Sequence, residues 1–164
     1  MARIPIALQL YSVREDCAND LPGTLKAVAD MGYEGVEFAG YHDRSADELR
    51  QMCDELKLAS VGTHTGIDTL LGDQLEETVK FNRTLGHKYL IVPGLAEEYR
   101  ATPDAWRQTA ATFNDIAAKA AALDAQVGYH NHRIEFEDLD GEIPWDIFCG
   151  GTTQSVITQL DVGH

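Results

Sequence analysis

Gln9-Leu10-Tyr11-Ser12-Val13-Arg14 is where the first apolar run, residues 4–10, gives way to polar chain. A doubly wound open sheet usually announces a nucleotide at this point with a glycine-rich first turn. No G-x-G-x-x-G stands here, and the phosphate-loop pattern G-x-x-x-x-G-K-[ST] is absent as well. Outward from this stretch, apolar strands and helical stripes alternate. Leu21, Leu25 and Val28 recur at helical spacing, and residues 33–38 form the second strand. Ser45 and Glu48 give a capping-box signature ahead of Leu49, Met52, Cys53 and Leu56, an i, i+3, i+4, i+7 stripe. Residues 58–64 are a third strand; Leu71, Leu75, Val79 and Leu85 mark a third helix. A fourth strand, 88–92, is stopped by Pro93-Gly94. Thr102-Pro103 then starts an alanine-rich helix through Trp106, Ala110, Phe113 and Ala117. Residues 126–132 are a fifth strand, 144–148 at most a short helix, and 156–161 a sixth strand.

Such alternation implies an α/β fold with a parallel sheet covered by helices. A (β/α) barrel collects its chemistry at the carboxyl ends of its strands. Gln9, Glu37, His64, His130, His132, Asp161 and His164 all fall at those ends, which favours the TIM-type barrel over the open sheet. The expectation is a single domain over 1–164, long enough for a real core. A formal net charge of −14 argues against nucleic acid, whose binders neutralise phosphates with Lys and Arg, and against an anionic membrane. No signal-peptide order opens the chain, and no apolar run approaches the roughly 20 residues of a membrane span. Cys17, Cys53 and Cys149 are odd in number and scattered, as expected of reduced thiols in a cytoplasm; Cys53 reads as core filler.

The candidate chemistry lies late in the chain, in Gly128-Tyr129-His130-Asn131-His132 and Leu160-Asp161-Val162-Gly163-His164. In an extended chain His130 and His132 point to one side, roughly 6.5–7 Å apart. Imidazoles and carboxylates gathered at strand ends suit a divalent metal, so His130 and Asp161 are its candidate ligands. A carboxylate inside a barrel is costly unless paired, which makes Glu37, and His64 with it, pocket residues. His42 and His87 read as surface residues. Glu135, Glu137, Asp138, Asp140 and Glu142 read as a solvated acidic loop; the alternative folds Glu135 back to the metal.

Taken in order, Ala7-Leu8-Gln9-Leu10-Tyr11-Ser12-Val13-Arg14, Gly32-Tyr33-Glu34-Gly35-Val36-Glu37-Phe38, Val61-Gly62-Thr63-His64, Gly128-Tyr129-His130-Asn131-His132 with Glu135-Phe136, and the D-x-x-H of Asp161 to His164 resemble strands one, two, three, five and six of sugar phosphate isomerase/epimerase proteins, the xylose isomerase-like TIM barrels. The resemblance implies a divalent metal, often Mn, Co, Mg or Zn, with Asp161 as a ligand and His164 near substrate and metal. It also implies a pocket lined by Glu37 and His64. Where these proteins usually carry a strand-five glutamate, this chain has His130. Their strands seven and eight have no counterpart, so the resemblance implies a barrel truncated after strand six, or one completed by another copy or chain.

The implied activity is isomerisation or epimerisation of a keto or hydroxy sugar or polyol through an enediolate. His164, Glu37 and His132 would move protons, and His64, Tyr11 and Gln9 would contact the substrate. Tyr11 and Trp145 could stack on a sugar face or pack in the core. Loss of a leaving group would instead give a dehydratase or lyase. A non-catalytic fragment with an incomplete metal site is the reading of a different class, and homo-oligomerisation goes with its open sheet edges. The nuclease branch of the superfamily is disfavoured by the charge.

Overall fold

The computed structural model describes residues 3–163. Six strands are found among them: β1 (Ala7–Gln9), β2 (Gly35–Ala39), β3 (Ala59–His64), β4 (Tyr89–Val92), β5 (Gln126–His130) and β6 (Ile157–Gln159). The α-helices between them are α1 (Arg14–Asp30), α2 (Ala46–Leu56), α3 (Gln74–Leu85), α4 (Pro103–Ala122) and α5 (Pro144–Gly151). The strands form one sheet in chain order, β1-β2-β3-β4-β5-β6. The pairs β1–β2, β2–β3 and β5–β6 are parallel. A doubly wound sheet reverses its strand order at a switch point. Here there is no reversal, so the winding is that of a (β/α) barrel, as the missing glycine-rich turn predicted.

The helix boundaries have local causes. Ser45 accepts from the Glu48 N–H while Glu48 reaches back to the Ser45 N–H, completing the capping box at the start of α2. Thr102 accepts from the Ala105 N–H at 3.1 Å and Pro103 opens α4. Inside α1, Asp20 leaves helical geometry (φ −153°, ψ 84°). Its carboxylate accepts from the Gly23 N–H at 3.1 Å and its carbonyl from the Thr24 hydroxyl at 2.8 Å. Asp20 therefore caps the second half of the helix, with Pro22 in the first turn where its missing N–H costs nothing.

The chain resolves into two compact units, Met1–His64 with Lys80–Tyr89, and Thr65–Val79 with Leu90–His164. The core of the first is largely aliphatic: Leu10, Leu21, Leu25, Val28, Val36, Leu49, Leu58 and Leu85 close around Phe38 and Cys53. Burial pushes the Cys53 thiol up to about 11, so core filler is its role. The core of the second is aromatic. Trp106 and Phe113 from α4, Tyr129 from β5 and Phe148 from α5 meet mostly edge to face, Phe113 and Phe148 with ring centroids 5.1 Å apart. Trp145 packs against this core and lies 5.4 Å from Phe136.

Three expectations need correction. The first strand is residues 7–9 rather than 4–10, with Ile4 82% exposed. His87 is buried rather than at the surface. Its Nδ1 accepts the Tyr89 N–H at 3.2 Å, and its Nε2 lies 2.9 Å from the Thr63 hydroxyl. The fifth strand stops at His130, short of His132, for reasons that belong to the site.

Candidate functional site

In the first unit, three strands bring polar side chains together. Gln9 ends β1, Glu37 stands within β2 and His64 ends β3. The β2–β3 register shifts between Val36 and Glu37, so that Glu37 pairs with Gly62. Such irregularities re-aim a side chain. A Cβ at position 62 would lie 3.0 Å from Glu37 Oε1, so the glycine leaves room for the carboxylate. Glu37 Oε2 is 3.3 Å from His64 Nε2, with the two side chains 12% and 9% exposed. On the far side of the ring, His64 Nδ1 is 3.0 Å from the Gln9 amide nitrogen. The Gln9 oxygen accepts the Tyr11 N–H at 2.5 Å. Gln9, Glu37 and His64 therefore converge as one polar cluster. The Tyr11 ring is 60% exposed, with the Arg14 guanidinium 4.5 Å from its centroid.

In the second unit, His130 and Asp161 converge: Nε2 and Oδ2 are 3.7 Å apart, with the side chains 13% and 35% exposed. His130 stands opposite Gln159 in the β5–β6 register, and its Nδ1 donates to Gln159 Oε1 at 2.9 Å. Asn131 is fully buried. Its amide donates to the Asp161 carbonyl at 3.0 Å and its oxygen accepts the Asp161 N–H at 2.8 Å. A side-chain amide thus does what a neighbouring strand would do, holding Asp161 just past the end of β6.

The ladder ends at His130 because Asn131 now bonds through its side chain and the His132 N–H turns to Glu135. That bond is 2.7 Å long, and the other Glu135 oxygen accepts the Tyr129 hydroxyl at 2.5 Å. Burial first, and Glu135 second, push the Tyr129 phenol up. Glu135 is fully buried. It does not belong to a solvated loop: it is buried, and each oxygen accepts a hydrogen bond from the chain. Once the chain has turned, the His132 ring packs edge-on against His130 at 5.1 Å between centroids. His164 lies outside the described residues.

Asn131 and Gln159 are site residues that sequence reasoning passed over. The His-Asn-His spacing drew attention to the imidazoles, while the residue between them does the structural work.

The His130–Asp161 pair can be tested against the chemistry of a divalent cation. A neutral imidazole that donates Nδ1–H to a carbonyl oxygen keeps its lone pair on Nε2, the usual state of a ligating histidine. His130 Nε2 and an Asp161 oxygen sit together here, and the donor types fit. They make two ligands. Among the described residues no group of three or more His, Cys, Asp and Glu side chains is placed to hold an ion.

No protein-family model matches this chain, and no curated protein matches it in sequence. Solved structures do resemble it. A sugar phosphate isomerase/epimerase from Parabacteroides distasonis superposes with TM-score 0.83 at 21% identity, over 99% of this chain and 66% of that one. An AP endonuclease, family 2, from Brucella melitensis gives TM-score 0.68 at 16% identity, over 97% and 69%. A xylose isomerase-like TIM barrel protein from Mycobacterium smegmatis, solved in complex with magnesium, gives TM-score 0.65 at 11% identity, over 97% and 65%. Identities this low speak for the fold. The chain is built as the xylose isomerase-like TIM barrels are built, sugar phosphate isomerase/epimerase proteins among them.

Proposed function

We propose that this chain carries part of a divalent-metal-dependent enzyme that isomerises or epimerises a keto or hydroxy sugar or polyol through an enediolate. The observation that carries the reading is the His130–Asp161 pair, an imidazole nitrogen and a carboxylate oxygen 3.7 Å apart at neighbouring strand ends. A divalent cation (Mn, Co, Mg or Zn) bound there by His130 and Asp161 supplies Lewis-acid polarisation of two adjacent substrate oxygens.

The remaining work falls to side chains. Glu37, largely buried beside His64, takes the proton next to the carbonyl. His132, beside His130, returns a proton at the neighbouring carbon, with His164 as a further candidate for that transfer. Gln9, Tyr11 and His64 flank the substrate. The second reading, elimination of a leaving group beside the ketone in a dehydratase or lyase, is favoured by the imidazole of His130 standing where the resemblance implies a glutamate.

A charge of −14 keeps nucleic acid out of both readings. Among the described residues no helix is long and apolar enough to cross a membrane. Three free cysteines accord with a reducing, cytoplasmic setting.

The test is solvent exchange. Candidate keto sugars are incubated with the protein and Mn²⁺ in D₂O, and deuterium uptake beside the carbonyl is followed by NMR. Uptake abolished by a chelator supports the reading; absence of uptake and of elimination across keto sugars, their phosphates and polyols overturns it.

A further inference from the structure

We infer that Gln9 is a positioning residue that decides where His64 keeps its proton, and thereby makes Glu37 the base of the first unit's cluster. The roles of base and partner rest on the proposed function; the proton's location rests on geometry alone.

The Tyr11 backbone N–H can only donate. The Gln9 atom 2.5 Å from it is therefore the carbonyl oxygen, because the flipped amide would set two donors against each other. This fixes the Gln9 nitrogen as the atom 3.0 Å from His64 Nδ1. An amide nitrogen donates and does not accept, so Nδ1 must be the bare nitrogen of a neutral ring. The single ring proton then sits on Nε2, 3.3 Å from Glu37 Oε2. The sequence of dependence runs from backbone to amide, from amide to imidazole, and from imidazole to carboxylate.

With its proton directed at Glu37, neutral His64 has no lone pair on that side and cannot take a proton there. It orients the Glu37 carboxylate by pointing an N–H at one oxygen. The other oxygen, Oε1, lies on the side of Gly62, whose missing Cβ leaves it room. His64 is thus the orienting partner of Glu37, and Gln9 sets the tautomer. Gln9, which the sequence suggests as a substrate contact, also acts through His64.

The experiment reads the proton directly. The full chain is labelled with ¹⁵N, and the two His64 ring nitrogens are identified by long-range ¹H–¹⁵N correlation at neutral pH, with His64→Gln for assignment. The wild-type ring is expected to show Nε2 protonated and Nδ1 bare. Gln9→Glu replaces the donor with an acceptor while Glu37 still faces Nε2, so Nδ1 is expected to shift into the protonated range and both nitrogens to carry protons.

A wild-type ring protonated on Nδ1 overturns the inference, as does a folded Gln9→Glu protein with wild-type His64 resonances. The wild-type spectrum alone decides the matter if Gln9→Glu does not fold. These spectra need neither sugar nor metal. Failure of the exchange assay with the expected tautomer in place removes the enzyme reading and leaves the positioning of His64 standing.

Discussion

His64 and His130 each lean on a carboxylate at a strand end, yet their rings are oriented in opposite senses. His64 receives a donor on Nδ1, from Gln9, and turns its Nε2 proton on Glu37 at 3.3 Å. His130 gives its Nδ1 proton to Gln159 and turns its Nε2 on Asp161 at 3.7 Å. In both cases a glutamine makes the choice, through whichever atom of its amide faces the ring. The same two residue types are thereby prepared for different chemistry by a neighbour that carries no charge.

Breaking the first pair should have the largest effect. Glu37→Gln keeps the shape and removes the base. If the exchange reaction is the right one, its rate is expected to fall by roughly 10²–10⁴-fold, with bound metal unchanged. A rate within a few-fold of wild type would move the base elsewhere.

His87 sharpens the comparison as a histidine with a hydroxyl partner in place of a carboxylate. Burial holds it down to about 4, against an ordinary 6.5. The unfolded chain takes up a proton below 6.5 that the folded chain refuses. Stability should therefore be undiminished by this group above that value and fall as pH drops from 6.5 to about 4, by about 3 kcal/mol in all. Urea denaturation across that range checks it, and the part of the slope due to this group should be missing in His87→Gln.

Smaller effects are expected from the residues that shape the second pair. Asn131→Ala leaves the Asp161 N–H and carbonyl without their partners and should cost about 1–3 kcal/mol in urea denaturation. Gln159→Leu leaves both metal donors in place and removes what fixes the His130 tautomer. Affinity for Mn²⁺ or Zn²⁺ should drop on the order of tenfold by calorimetry, with little change in stability. Unchanged affinity would mean that Gln159 does not set the state of His130.

The contrast also explains what a reader of the sequence can and cannot see. The order of strands follows from local signals: apolar runs, caps at Ser45 and Thr102, and the absence of a nucleotide turn after Gln9. That polar residues crowd the strand ends is visible for the same reason. What each polar residue does depends on partners brought from far along the chain. Asn131 is unremarkable until it meets the backbone of residue 161. In the acidic stretch, Glu137, Asp138 and Asp140 are exposed as their composition suggests. Glu135 differs because the 3-10 turn Ile134–Phe136 folds it under Tyr129. His87 follows a glycine at a helix end, which reads as surface, and is drawn inward by Thr63 and the Tyr89 N–H.

The opposed rings of His64 and His130 make a clear demand on metal binding, and anomalous diffraction from crystals of this chain soaked in Mn²⁺ meets it directly. The account predicts a peak roughly 2.0–2.3 Å from both His130 Nε2 and Asp161 Oδ2. A peak among Gln9, Glu37 and His64 with none at His130, or no peak at either place, would contradict it.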